Sequence, residues 1–291
     1  MEDRKVEESK KKYAEGIELL MKNDYRRAKQ AFEDAVRLDP KNALAHAGRG
    51  NALFGMQELE KALKAMEKAL EIEPSNEAVL DNYGAYLYNL ARYNTALDVT
   101  ERLVQINPEN PDYWHKKGLT HEALENLDKA LEDYGKALAI DPTDVLALKD
   151  KGALLERMQR FDEAIETFRQ ASRLAPDEVY FLNCQGQLLG RVNRFEEALA
   201  AFELVLKVDP DEEYAINGIA AALAQLGRYE DALGAFDRLI GKNPKNAFSW
   251  DGKSYVLKQM GRIEESEKAQ AEAKRLWREE EKNAPGTFGT A

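Results

Sequence analysis

The chain has 291 residues, with 42 Lys and Arg against 53 Asp and Glu, a formal charge of −11. A net acidic chain lacks the basic surface that displaces counterions from a phosphate backbone, which argues against sequence-independent nucleic-acid binding. Hydrophobic residues make up 44%, enough to exclude global disorder, and there is no run of about 18 apolar residues to form a membrane-spanning helix.

In chain order, residues 1–8 are a charged lead-in without an apolar core, expected to prolong the first helix rather than act as a secretory signal. From Ser9 the chain repeats. Pro40, Pro74, Pro108, Pro142, Pro176, Pro210 and Pro244 fall 34 residues apart without insertion or deletion, the mark of a tandem array. With each proline at position 32, the units are 9–42, 43–76, 77–110, 111–144, 145–178, 179–212, 213–246 and 247–280. Position 8 is Gly16, Gly50, Gly84, Gly118, Gly152 and Gly186, then Ala220 and Ser254. Position 20 is alanine from Ala28 to Ala232, and position 24 is Phe32, Met66, Thr100, Tyr134, Phe168, Phe202, Phe236 and Gln270.

Each unit holds two stretches of roughly 14 residues with apolar side chains at i, i+3, i+4 and i+7, which predicts two amphipathic helices. No stretch alternates with the period of a strand. Asp39, Asn107, Asp141, Asp209 and Asn243 each precede a proline and are pushed out of helical geometry, which ends the second helix. Glycine at position 8 costs about 1 kcal/mol relative to alanine; close approach of the two helices, with alanine at position 20, is expected to offset that cost. In the last unit Ser266, Lys268, Gln270, Glu272, Lys274 and Arg275 predict the polar exterior of a capping repeat, with Leu276 and Trp277 folded back on the seventh unit. Residues 281–291 carry no helical pattern and are expected to form a flexible tail.

These columns resemble the tetratricopeptide repeat: small at 8 and 20, aromatic at 24, small at 27, proline at 32. The fourth unit shows the set as Trp114, Gly118, Ala130, Tyr134, Ala137 and Pro142. The resemblance covers Ser9 to Glu280. It implies an all-α fold, a right-handed α-solenoid (superhelix) of antiparallel helix pairs with about sixteen helices.

Chemistry-bearing patterns are sparse. His115 and His121 lie six apart on one predicted helix and point to opposed faces. His46 and His121 fall in packing columns, and no metal-binding histidine or cysteine spacing occurs. The single cysteine, Cys184, permits no intrachain disulfide and fits a reducing, cytoplasmic compartment. No phosphate-cradling glycine loop is present. Acidic residues spread over helix surfaces, as in Glu60 and Lys64 four apart. The expected chain is therefore non-enzymatic, without cofactor or metal.

The resemblance further implies a concave groove lined by positions 2, 5, 9, 12 and 13 of each first helix. Units one and two give it an apolar strip with Tyr13, Ile17, Leu20 and Phe54. Units three and four give an acidic one with Asp81, Asp112, His115 and Glu122. Units five and six give a basic one, and the candidate peptide-binding residues are Lys149, Arg157, Tyr180, Asn183, Gln187 and Arg191, with Asn217 from unit seven. No three consecutive units carry the chaperone-tail clamp of the family: where it needs lysine and asparagine, unit one has Tyr13 and Ile17 and unit five has Lys149 but Ala153. The expected function is an adaptor that binds an extended or helical segment of a partner protein, with an acidic stretch facing Arg157 and Arg191. The alternatives are a self-assembling scaffold or the substrate-recognition subunit of a separate enzyme.

Overall fold

The structure is a computed structural model that describes residues 2–283. Among these residues there are sixteen α-helices and no strand. They sort into two compact units that divide after Pro142. The first unit holds α1 (Glu2–Met21), α2 (Tyr25–Leu38), α3 (Ala43–Gly55), α4 (Leu59–Ile72), α5 (Glu77–Asn89), α6 (Tyr93–Ile106), α7 (Pro111–Ala123) and α8 (Leu127–Ile140). The second holds α9 (Val145–Arg157), α10 (Phe161–Leu174), α11 (Val179–Arg191), α12 (Phe195–Val208), α13 (Glu213–Gln225), α14 (Tyr229–Lys242), α15 (Ala247–Gln259) and α16 (Ile263–Asn283). Each 34-residue period is one pair of packed helices joined by a tight turn, a helical solenoid. The lead-in lies within α1, and α16 runs three residues into the segment expected to be a tail, whose remainder, 284–291, lies outside the described residues.

Every turn within a pair closes the same way. The residue after the C-cap takes a positive φ, for example 62° at Gln57 and 61° at Asn193. Its N–H reaches back three residues (Gln57 to the Phe54 carbonyl, 2.9 Å) and the next N–H reaches five (Glu58 to the Leu53 carbonyl, 2.9 Å). This double closure satisfies carbonyls that a helix end leaves open. The first helices are capped from the other side. Asn42 accepts from the Ala45 N–H at 2.9 Å, and Asp144 accepts from Leu146 and Ala147 at 2.9 and 3.1 Å.

The proline column has a further use. Its carbonyls accept hydrogen bonds from the first helix of the following repeat: Trp114 Nε1 to Pro108 at 2.8 Å, Trp250 Nε1 to Pro244 at 2.9 Å, and His46 Nε2 to Pro40 at 3.1 Å. His46 is buried, which lowers its pKa below the ordinary histidine value.

The glycine column is explained by rings more than by the alanine column. A Cβ on Gly16, Gly118, Gly152 or Gly186 would come within 2.6–2.7 Å of the ring at position 24 of the same repeat. The helices approach closely because a Phe or Tyr ring packs directly against bare backbone, and burying such a ring is worth roughly 1.5–3 kcal/mol.

One expectation for the last repeat changes. Ser266 does not solubilise an outer face; it is buried, and its hydroxyl donates to the Ser254 carbonyl at 2.8 Å while Ser254 donates to the Ser266 carbonyl at 3.0 Å. Serine replaces the small residue at both positions 8 and 20, and the pair cross-links the two helices. Trp277 stands edge-on to Phe248 of α15 at 6.0 Å, within its own repeat, and Leu276 is buried.

Candidate functional site

In the second unit, the face carried by first helices α11 and α13 contains a cavity of about 460 Å3. Its origin is in the sequence. Position 12 is large in the first five repeats (Leu20, Phe54, Tyr88, Glu122, Glu156) but is Gly190 on α11 and Ala224 on α13. Gly186 and Gly218 are kept bare by the Phe202 ring, which a Cβ would approach to 2.7 and 2.4 Å, whereas nothing lies within 4 Å of a Cβ on Gly190. The floor is thus the Phe202 ring with glycine and alanine backbone. The rim carries Gln187, Asn193, Asn217 and Gln225, the Tyr214 phenol and the Arg191 guanidinium. No carboxylate lines it. Four amides supply both donors and acceptors, and the phenol and guanidinium add polar ends above an apolar base.

Of the seven candidate residues, the structure brings Gln187, Arg191 and Asn217 to this cavity. Tyr180 lies on the same helix, half-exposed, its ring edge-on to Phe168 at 6.3 Å; burial, with the Cys184 thiol beside it, pushes its pKa up to about 12. Burial likewise pushes the Cys184 thiol above its ordinary value, the opposite of what activates a nucleophile. Asn183 is half-buried, and its Oδ1 is buried without a hydrogen-bond partner. Lys149 stands 3.9 Å from Asp150, and Arg157 is exposed at the end of α9.

Arg191 already has an ionic partner within the chain. Arg191 Nη1 donates to Glu156 Oε1 at 2.9 Å, and its guanidinium stacks over the Phe161 ring at 4.4 Å. The basic strip is therefore weaker than its sequence suggests. The acidic strip of the first unit is also compensated. Lys116 Nζ donates to Asp81 at 2.5 Å and lies 2.7 Å from Asp112. Burial draws the Lys116 ammonium down, but these carboxylates outweigh it and hold the pKa above the ordinary lysine value. Glu122 accepts from the buried Tyr134 hydroxyl at 2.8 Å. His115 is buried against the Tyr134 ring at 5.6 Å and does not line a groove. Among the described residues no cluster of three or more His, Cys, Asp or Glu is placed to hold a metal, and no helix is long and apolar enough to cross a membrane.

Models of the tetratricopeptide repeat match residues 13–77, 111–144, 150–178 and 184–247. The chain belongs to the tetratricopeptide-repeat family. This family consists of protein-interaction modules. No curated protein matches the chain. Among solved structures, the C-terminal part of a tetratricopeptide-repeat protein from Cytophaga hutchinsonii superposes with a TM-score of 0.72 at 15% identity, covering 82% of this chain and 98% of that one. MamA residues 41 to the end from Desulfovibrio magneticus RS-1 gives 0.55 at 22%, covering 59% and 97%. YrrB, described as a tetratricopeptide-repeat protein with an unusual peptide-binding site, gives 0.54 at 24%, covering 65% and 97%. At these identities the likeness carries the fold alone.

Tyr214 and Gln225 fall at tetratricopeptide-repeat groove positions, so they were open to selection beside Asn217. Gly190 was visible only as the break in a column of large residues at position 12, and the ring that floors the cavity, Phe202, reads in sequence as plain core.

Proposed function

We propose that the chain is a non-enzymatic adaptor that holds an extended or helical segment of a partner protein on the first-helix face of its second unit, in a reducing, cytoplasmic compartment. The observation that carries this reading is the α11–α13 cavity: an apolar floor, an amide rim and no carboxylate, in a protein of charge −11. Such a combination suits a peptide, whose main chain needs paired donors and acceptors and whose side chain needs an apolar seat. Gln187 and Asn217 hold the main chain and an apolar side chain descends towards Phe202. An acidic side chain beside it shares the Arg191 fork with Glu156 by charge-assisted hydrogen bonds. Lys149, Arg157, Tyr180 and Asn183 extend the same face along α9 and α11.

The test is affinity capture from the native cell, identification of the bound protein, and titration of its binding segment. Arg157→Glu with Arg191→Glu leaves helicity unchanged, since both side chains are exposed. The pair of substitutions weakens the segment about tenfold, or about 1.4 kcal/mol, and flattens the salt dependence. Unchanged affinity with unchanged salt dependence overturns the role of these two arginines.

A further inference from the structure

We infer that a second cavity, beside Thr100 in the first unit, receives an aromatic side chain of a partner segment that carries a basic residue next to it. The chain's other repeats provide the template. Phe32, Tyr134, Phe168 and Phe202 at position 24 each lay a ring against the glycine at position 8. In the third repeat the glycine is kept and the ring is missing: position 24 is Thr100, and a Cβ on Gly84 would meet only Val99, at 3.2 Å. The space a ring fills elsewhere is left as a cavity of about 190 Å3, walled by Gly84, Leu103, Leu119, Thr120 and Lys116.

Asp81 and the exposed Asn89 also line it, but the hydroxyls in its walls are spent within their own helices. The Thr100 hydroxyl donates to the Leu97 carbonyl at 3.0 Å and the Thr120 hydroxyl to the Lys116 carbonyl at 2.8 Å, each on its own helix. Lys116 is held by Asp81 and Asp112. A polar guest would have to break these bonds, whereas an apolar ring regains the dispersion contacts the walls lack. Charge sets what stands beside the ring. The charged side chains of α5 are Glu77 and Asp81, both acidic, and the single Lys116 ammonium is shared between two carboxylates. One negative charge is left over at this cluster, which favours a lysine or arginine adjacent to the aromatic residue. The inference rests on the reading of the array as peptide-binding but uses a cavity in the other unit.

The test uses the full chain and the hexapeptide acetyl-Gly-Gly-Phe-Lys-Gly-Gly-amide, followed by methyl NMR of Leu103 and Leu119. Ring-current shifts that saturate with peptide are expected at both residues. The same peptide with alanine for phenylalanine gives none, and glutamate for lysine weakens binding by about threefold or more, less so at high salt. Thr100→Phe fills the cavity from within, abolishes the shifts and raises Tm. Thr100→Met, which installs the residue type of Met66 at this position, does the same and serves if the ring is not accommodated. Gly190→Leu leaves the shifts unchanged. Absence of shifts at millimolar peptide, or their survival in both Thr100 variants, overturns the inference. So does a result in which Thr100→Phe abolishes self-association of the chain instead of peptide binding. Failure here with binding at the Gly190 cavity intact overturns this inference alone; failure at both cavities overturns the peptide-binding reading beneath it.

Discussion

In the fourth repeat a buried His121–Asp133 pair stands where the other seven repeats put leucine at position 11 and Ala, Val or Thr at position 23. Nδ1 of His121 lies 2.7 Å from Asp133 Oδ2, and Lys117 approaches the same carboxylate at 3.6 Å. A buried polar pair loses hydration that mutual attraction only partly returns, and removing one partner strands the other. His121→Leu alone is expected to destabilise by roughly 3–5 kcal/mol, while His121→Leu with Asp133→Ala, the pair present in the second repeat, matches or exceeds the natural protein. Urea unfolding of the three variants checks this; additive losses in the double variant contradict it. The period places His121 in a packing column but cannot show its partner, because the residue at position 23 carries no fixed type. Electrostatics were the least legible level throughout. Glu60, which the i,i+4 rule pairs with Lys64, holds Arg92 of the following turn at 2.5 Å, and the Lys116 bridge that half-neutralises Asp81 and Asp112 comes from position 6, outside the groove columns.

Helix boundaries were legible because each has a local physical cause: a residue barred from helical geometry by the next proline, and a cap residue at position 34. The turn geometry was not. Position 15 takes positive φ in every repeat, yet only Gly227 and Gly261 are glycine, the other six being Asn23, Gln57, Ala91, Glu125, Gln159 and Asn193. A left-handed conformation costs a non-glycine residue roughly 1–2 kcal/mol. Ala91, with φ of 55° and no polar side chain to hydrogen-bond locally, gains least from its identity. Ala91→Gly is expected to stabilise by roughly 1 kcal/mol, after the greater chain entropy of glycine is subtracted from the relieved strain. Gly227→Ala moves stability the other way by a similar amount. Thermal melts decide; a lower Tm for Ala91→Gly contradicts the turn assignment.

At the scale of the whole molecule, an array of paired helices buries its apolar faces on neighbours, so stability is a sum over repeats and their interfaces. The Phe236 ring of α14 is buried partly by α15, where a Cβ on Gly252 would come within 2.3 Å of it. Truncation before Ala247 exposes this ring and is expected to fray α13 and α14 while α1 to α8 keep their protection in hydrogen exchange; uniform loss across the chain contradicts the nearest-neighbour picture. The tandem architecture was legible in full because a fixed period and a fixed helix pattern are sequence properties. The site was legible only in its directions: positions facing the first-helix side could be named, but a cavity is made by what is missing, and Gly190 registers only against the large residues of the other repeats. The central claim is that a partner segment seats in that cavity. The direct measurement is calorimetric titration of the captured partner's segment into the natural protein and into Gly190→Leu, a change that meets no atom within 4 Å at its Cβ and improves helix propensity. The account predicts an equal or higher Tm with affinity lowered at least tenfold, about 1.4 kcal/mol; an equally stable Gly190→Leu protein that binds the segment at full affinity would contradict it.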